Sequence, residues 1–421
     1  MQQLEKCLNM PQGVGILIST LLGSSIFIVP ALVATIAGTH SLLAWIITIL
    51  LMLPVAFTFS NLGITYPNAG GTAFFIKQAT GEKMEHFTSW LYLSVMPLGP
   101  PVVIITGANY LGSIINANDD QIFMICTGML GSMFLINFVG LKFVGTIQTI
   151  ISVVIVCSLL LIIFIAFSKN PEMIKNVDLS FKTTDFALIT QAVPVIFWCF
   201  VGLEAIVHLS AEFRNVEKDF PKTIIISMFT VGSICLSLSL IVLEYGVYGS
   251  ESLNLNYLVP LVKQLIGAKS TVFIAVIGFF TCFATINLYI LSFSRMLLSM
   301  SDGKIISSWF SKLSKNSVPI NSLIVCYFCV YFTIFLKYTF QIELKSLILY
   351  ANSVFVFLYL LASISGCILL HGLKKFLAVL SGIFCFYIFF SLGGAAIYAI
   401  LILIFSVLWD SCLHYNKEYA K

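Results

Sequence analysis

The 421 residues carry 10% charged side chains against 59% apolar ones, and the mean hydropathy is +1.03. A soluble domain has about 25% charged residues, so water-soluble classes are excluded and most of the exterior must face lipid. The formal net charge of +4 matters less for its sign than for where the cations fall along the chain.

The opening MQQLEKCLNMPQG has one lysine and no basic n-region, so it reads as a lead-in to a retained first span rather than a secretory signal. A span needs about 20 apolar residues. Apolar runs bounded by polar or Gly/Pro punctuation predict about twelve such helices in this length. They fall near 12–38, 42–63, 86–115, 121–140, 144–168, 186–209, 223–246, 270–299, 320–336, 344–369, 377–391 and 395–411. The last two are separated only by the short hairpin SLGGAA.

The first span contains LLGSSIFIVP at 21–30, which puts Gly23, Ser24 and Ser25 where unbroken helix is cheapest. Glycine is a poor helix former, and serine hydroxyls compete for backbone hydrogen bonds. In hydrocarbon an unwound stretch is tolerated only where it faces protein or a cavity. A small-residue patch for close helix packing is the other reading. In the third span, Met96, Pro97, Gly99, Pro100 and Pro101 predict a kink and the apolar side of a cavity.

The sixth span, AVPVIFWCFVGLEAIVHLSAEF at 192–213, holds Pro194, Gly202 and an acidic residue, Glu204, near mid-depth. Interrupted segments at corresponding positions of two halves point to an inverted-repeat transporter site. Five spans per half is an odd number, so the halves have opposite topology. The predicted fold is therefore an all-α integral membrane protein with a 5+5 inverted repeat and broken helices 1 and 6. Residues 1–168 form the first repeat, 186–369 the second, 377–411 two accessory helices and 412–421 a cytoplasmic tail.

A charge at the bilayer centre costs about 2.5–3.5 kcal/mol on insertion scales. Glu204 is thus either a proton-sensitive switch or a neutral carboxyl bonded to unwound backbone. His208 follows one turn later, near the cytoplasmic boundary. Glu244 and Asp410 lie at span ends, within reach of headgroups or water. Asn287 in span eight and Asn352 in span ten face either a pocket or a neighbouring helix, and interhelical hydrogen bonds of roughly 0.6 kcal/mol suffice to explain them. The eleven cysteines lie mostly in apolar runs as small hydrophobes. Cys326 and Cys329 have redox-motif spacing but sit mid-span, where packing explains them.

Orientation follows from the cations. With a cytoplasmic N-terminus, the inside segments hold about twice as many lysines and arginines as the outside ones, including Arg214 and Arg295. Both termini are therefore expected inside. The longest outside connections, 169–185 and 247–269, are too short for an independent catalytic domain. The five histidines form no H-E-x-x-H pattern, and neither G-x-S-x-G nor G-x-x-x-x-G-K-[ST] occurs. No enzyme, cofactor, metal or nucleic-acid role is expected. A channel would usually need a charged or carbonyl-lined pore, whereas paired broken helices suit an occluded site.

GSSIF at 23–27 resembles the G-S-G-[IV]-F signature of the amino acid–polyamine–organocation superfamily. YPNAGGTAFFIKQATG (66–81) is similar to its P-x-x-G-G element, FWCFVGLE (197–204) to its span-six motif and EFRNVEKDFPKTI (212–224) to its cytoplasmic link. SFSRMLLSMSDGK (292–304) resembles its span-eight ending. Within the superfamily, FWCFVGLEAIVHLSAEF and LILYANSVFVFLYLLA most resemble bacterial exporters of methionine and branched-chain amino acids. Ser25 departs from the pattern by standing where glycine is usual, and Val216 by replacing a proline.

The resemblance implies a secondary transporter of a small-molecule amino-acid substrate in a bacterial cytoplasmic (inner) membrane, as a monomer or homodimer. The substrate carboxylate is expected at Gly23, Ser24, Ser25 and Ile26, and the ammonium group at the break of Phe200, Val201 and Gly202. Trp198 falls on the gating aromatic position, with Met96, Asn287 and Asn352 as further candidate contacts and Glu204 as the coupling group. Neither broken helix offers a carboxylate beyond Glu204, so an uncharged apolar side chain fits best. The expected activity is export of L-methionine, leucine, isoleucine and valine by proton antiport. An uptake symporter or an exchanger of the same fold remains the alternative. Span five has no lysine at 144–168, so a lysine replacing a sodium ion there is not expected.

Overall fold

Backbone N–H and C=O groups must find partners inside the segment when no water is near, so long apolar runs become helices. A computed structural model describes residues 8–23, 25–67, 71–139, 144–173, 185–303, 305–313 and 319–419. Helices α1 (Met10–Leu22) and α2 (Val29–Ala37) are the two halves of the first span, joined through a 3-10 turn at Ser25–Phe27. Next come α3 (His40–Thr65) and the short α4 (Gly71–Thr80). Helices α5 (Glu82–Leu93) and α6 (Gly99–Gly112) divide the third span, followed by α7 (Asp119–Val139) and α8 (Val144–Lys169). The sixth span is α9 (Phe186–Ile196), a 3-10 turn at Phe197–Phe200, and α10 (Leu203–Val207). After α11 (Val216–Tyr245), the connection expected as a loop contains α12 (Glu251–Leu255) and α13 (Leu258–Leu265). The remainder is α14 (Ser270–Asp302), α15 (Ile320–Phe340), α16 (Leu344–Leu369), α17 (Gly372–Ser391) and α18 (Ala396–Tyr419).

Among the described residues, nine segments are long and apolar enough to cross a membrane. They match predicted spans two, four and six to twelve. Spans one and three are interrupted, and span five corresponds to α8. The third span is a correction in degree: it is not merely kinked but parted by the turn 94–98. Pro97, Pro100 and Pro101 have no N–H to continue the ladder, and each proline ring crowds the carbonyl four residues back.

Burial shows which spans form the centre. In an apolar stretch of 18 residues within span six (Phe186–Val207), and likewise within α16, 72% of the residues are buried, against 17% within Gly393–Ser411. At one end of the bundle Leu8, just before α1, is tied to the link after span six. Leu8 N–H donates to the Glu212 carbonyl at 3.0 Å, and Arg214 N–H donates to the Leu8 carbonyl at 2.9 Å. Gly13 of α1 gives the room for this, because a Cβ there would lie 2.6 Å from the Phe213 ring.

Candidate substrate site

The three interruptions meet around one narrow cavity of about 30 Å³, room for roughly two waters. Thr20, Leu21 and Ser25 contribute from the first break, Val95, Gly99 and Pro100 from the third, and Trp198 and Val201 from the sixth. Thr285, Ile286 and Tyr289 of α14, Phe355 of α16 and Val103 complete the wall. The lining carries hydroxyls and apolar surface but no charged side chain.

The first break is held by hydroxyl groups. Ser25 Oγ donates to the Leu21 carbonyl at 2.7 Å, so the hydroxyl at this position turns back on its own helix. The hydroxyl of Tyr257, at the start of α13, donates to the Ile26 carbonyl at 2.7 Å. Tyr110 of α6 does the same for Phe27 at 3.1 Å. Gly23 ends α1 with its N–H on the Ser19 carbonyl at 3.1 Å, and a Cβ there would meet Thr285 at 3.2 Å. Ser24 lies outside the described residues.

The sixth break turns on Gly202, whose φ of +127° is left to glycine. A Cβ at Gly202 would also come within 2.9 Å of the Thr20 side chain, so the two breaks touch. Glu204 is 1% exposed. Its Oε2 accepts from the Gly202 N–H at 2.9 Å and from the Tyr359 hydroxyl at 2.5 Å. The same Tyr359 hydroxyl is 3.2 Å from the Phe200 carbonyl. A phenol has one proton, so it serves Glu204 or Phe200 but not both. Glu204 Oε1 is buried with no hydrogen-bond partner among the described residues.

Of the residues singled out from the sequence, Ser25, Trp198 and Val201 line the cavity. Trp198 lies edge-on to Phe355, with ring centroids 6.3 Å apart. Gly23, Ile26, Phe200 and Gly202 shape the breaks from behind this lining. Met96 sits in the third break, but its neighbours Val95 and Gly99 make the wall. Asn352 stands one layer back, donating from Nδ2 to the Pro194 carbonyl at 2.7 Å. Asn287 is bonded elsewhere: Asn137 Nδ2 donates to its Oδ1 at 2.7 Å and to the Tyr327 hydroxyl at 2.9 Å. That triad joins α7, α14 and α15. Glu244 accepts from Asn170 at 2.7 Å, and Asp410 faces His86 at 3.4 Å. His208 packs against Gly71 of α4.

The sequence reading did not pick out Thr20, Thr285, Tyr110, Tyr257 or Tyr359. A tyrosine or threonine in an apolar run looks like core, and Tyr359 meets Glu204 across 155 residues. Among the described residues no group of three or more His, Cys, Asp or Glu is placed to hold a metal.

A paired-break bundle around a small uncharged cavity is a transporter's arrangement, and comparison with known proteins supplies the family. The amino acid permease family model matches residues 8–411. The chain belongs to the amino acid permease family. It is 35% identical over 408 residues to the L-methionine/branched-chain amino acid exporter YjeH of Escherichia coli (strain K12), covering 96% of each protein. It is 29% identical over 359 residues to the uncharacterized amino acid permease YecA of Bacillus subtilis (strain 168), covering 85% of this chain and 84% of that one. The serine/threonine exchanger SteT of the same bacterium is 23% identical over 309 residues. The permease is thus a multi-pass membrane protein of an amino-acid-transporting family, which is the superfamily its motifs resemble.

Proposed function

We propose that this permease exports neutral apolar amino acids, methionine and the branched-chain ones, across a bacterial inner membrane in exchange for protons. The observation that carries this reading is the cavity lining: hydroxyls and apolar walls with no charged side chain. Burying an unpaired ion there is costly, which disfavours arginine or glutamate as cargo. The Escherichia coli relative, an L-methionine/branched-chain amino acid exporter, supports the same substrate class.

In this reading the substrate carboxylate approaches Gly23–Ile26 at the start of the outer half-helix, where the helix dipole favours an anion. The ammonium group approaches the carbonyls at Phe200–Gly202. Glu204 is the coupling group and acts through Tyr359. When Glu204 is ionised it holds the phenolic proton, which frees the Phe200 carbonyl to accept from the ammonium. When Glu204 carries its own proton, Tyr359 turns to Phe200 and competes with the substrate there. Proton and amino acid then occupy the site in alternation, as antiport requires. A volume of about 30 Å³ does not admit a leucine, so the walls part during transport, with the 1–168 and 186–369 halves moving as inverted repeats.

The test is transport of labelled methionine and leucine in proteoliposomes with a pH gradient imposed in either direction. Movement of the amino acid against the proton flow, with mutual competition among leucine, isoleucine, valine and methionine, is expected. Strong competition by arginine, or accumulation indifferent to the gradient, overturns the reading. Accumulation in the direction of proton flow makes the protein a symporter.

A further inference from the structure

Each interruption in the bundle has a carbonyl within hydrogen-bond reach of a tyrosine hydroxyl from a distant element. For the first and sixth breaks these are Tyr257, Tyr110 and Tyr359. The third break has one too, and it comes from the outermost helix. Between Ser94 and Leu98 the backbone pairing tightens to three-residue steps: Val95 N–H to Tyr92, Met96 N–H to Leu93 and Leu98 N–H to Val95. In an α-helix the Leu98 N–H would meet the Ser94 carbonyl. Drawn away to Val95, it leaves that carbonyl to the hydroxyl of Tyr398 on α18, which donates at 2.9 Å.

Between Ile397 and Leu408 much of α18 is exposed, with Ile397, Leu401 and Ile404 each at least half exposed. Tyr398 turns inward instead, its ring edge-on to Tyr350 of α16 at 6.1 Å. Further down, Trp90 of α5 is edge-on to Phe405 and Trp409 of α18 at 5.1 and 5.5 Å. Helix α18 thus follows span three from Trp90 up to the break. Val95 within the break, and Gly99 and Pro100 just after it, form part of the cavity wall. That wall has no slack: a Cβ on Gly99 would lie 3.2 Å from Val95 and 3.4 Å from the Trp198 ring.

We propose that Tyr398 is a positioning residue for transport. Through the Ser94 carbonyl it sets the third break, and with it the wall against which the substrate side chain packs. The accessory helix then belongs to the substrate-selecting machinery. The choice of leucine as the probe rests on the function proposed above.

Tyr398→Phe removes the hydroxyl and keeps the ring. Two readouts test it: amide hydrogen exchange across residues 90–102 of the purified protein, and leucine exchange kinetics in proteoliposomes. Loss of one hydrogen bond should raise KM for leucine about 3- to 10-fold, while the maximal rate changes by less than about twofold. The amides of Val95, Met96, Leu98 and Gly99 should exchange faster, with the rest of the bundle unchanged. Tyr350→Phe, which loses a hydroxyl from the same ring pair but touches no break, should leave both readouts at wild-type values. Unchanged exchange at those amides, or faster exchange there with an unaltered KM, overturns the proposal. Faster exchange throughout the bundle also overturns it, because Tyr398 would then be supporting the fold. If the wild-type protein moves neither leucine nor methionine, the proposed function fails, and the exchange arm still decides whether Tyr398 holds the break.

Discussion

Glu204 and Gly202 show how much rests on two neighbouring residues. Glu204 is fixed by one backbone and one phenolic donor on the same oxygen. Glutamine keeps the shape and most of the hydrogen bonding but cannot exchange a proton with the medium. Glu204→Gln should therefore retain amino-acid exchange while losing both pH dependence and gradient-driven accumulation. A variant that still concentrates methionine with an unchanged pH profile rules Glu204 out as the coupling group. Gly202→Ala is a different kind of change. It forces an L side chain into φ +127° and pushes a Cβ toward Thr20 at 2.9 Å. Strain of this sort costs about 1–3 kcal/mol. A lower unfolding midpoint in detergent and loss of transport are the expected outcomes.

At the scale of the element, the breaks are written in the sequence as glycine, serine and proline inside apolar runs. The first and sixth were read from that signal, and the cluster around Pro97 indicated the third. Their partners were not legible in the same way. Which tyrosine caps which carbonyl depends on pairs up to 304 residues apart, and no periodicity reports such a pairing. Asn287 illustrates the same limit, since the sequence left pocket and neighbouring helix equally open and the fold joins it to Asn137 and Tyr327. Ser25 tests the element directly. Its hydroxyl bonds back to Leu21 and its side chain borders the cavity. Ser25→Gly should preserve leucine exchange. Ser25→Leu should fill a volume of about 30 Å³ and abolish exchange in protein that still elutes as a folded species. Full activity in Ser25→Leu would remove the first break from the substrate path.

Across the whole molecule, the distribution of lysine and arginine predicts both ends inside and the α12–α13 connection outside. Lys77 on α4 is bonded to Glu85 at 2.7 Å, which raises its pKa and keeps it charged. Lys263 sits on α13. In a cysteine-free background, a cysteine at position 263 should react with an impermeant maleimide added to intact cells. One at position 77 should react only after permeabilisation. The reverse pattern would invert the protein and the direction assigned to transport.

Composition and run length alone determined that this chain is a membrane helix bundle, because 10% charged residues cannot cover a water-facing surface. Local residue chemistry determined where the helices break, since helix propensity and the missing proline N–H act within a few residues. Only the tertiary structure decided what those breaks enclose. Residues from four separate helices, two 3-10 turns and the turns beside them define the cavity, and its charge-free lining follows from which faces turn inward. It also brought Tyr359 to Glu204 and Tyr398 to Ser94. Hydrogen bonds of this kind form only after packing has carried distant segments within about 3 Å of each other, and the order of residues along the chain does not encode that distance locally.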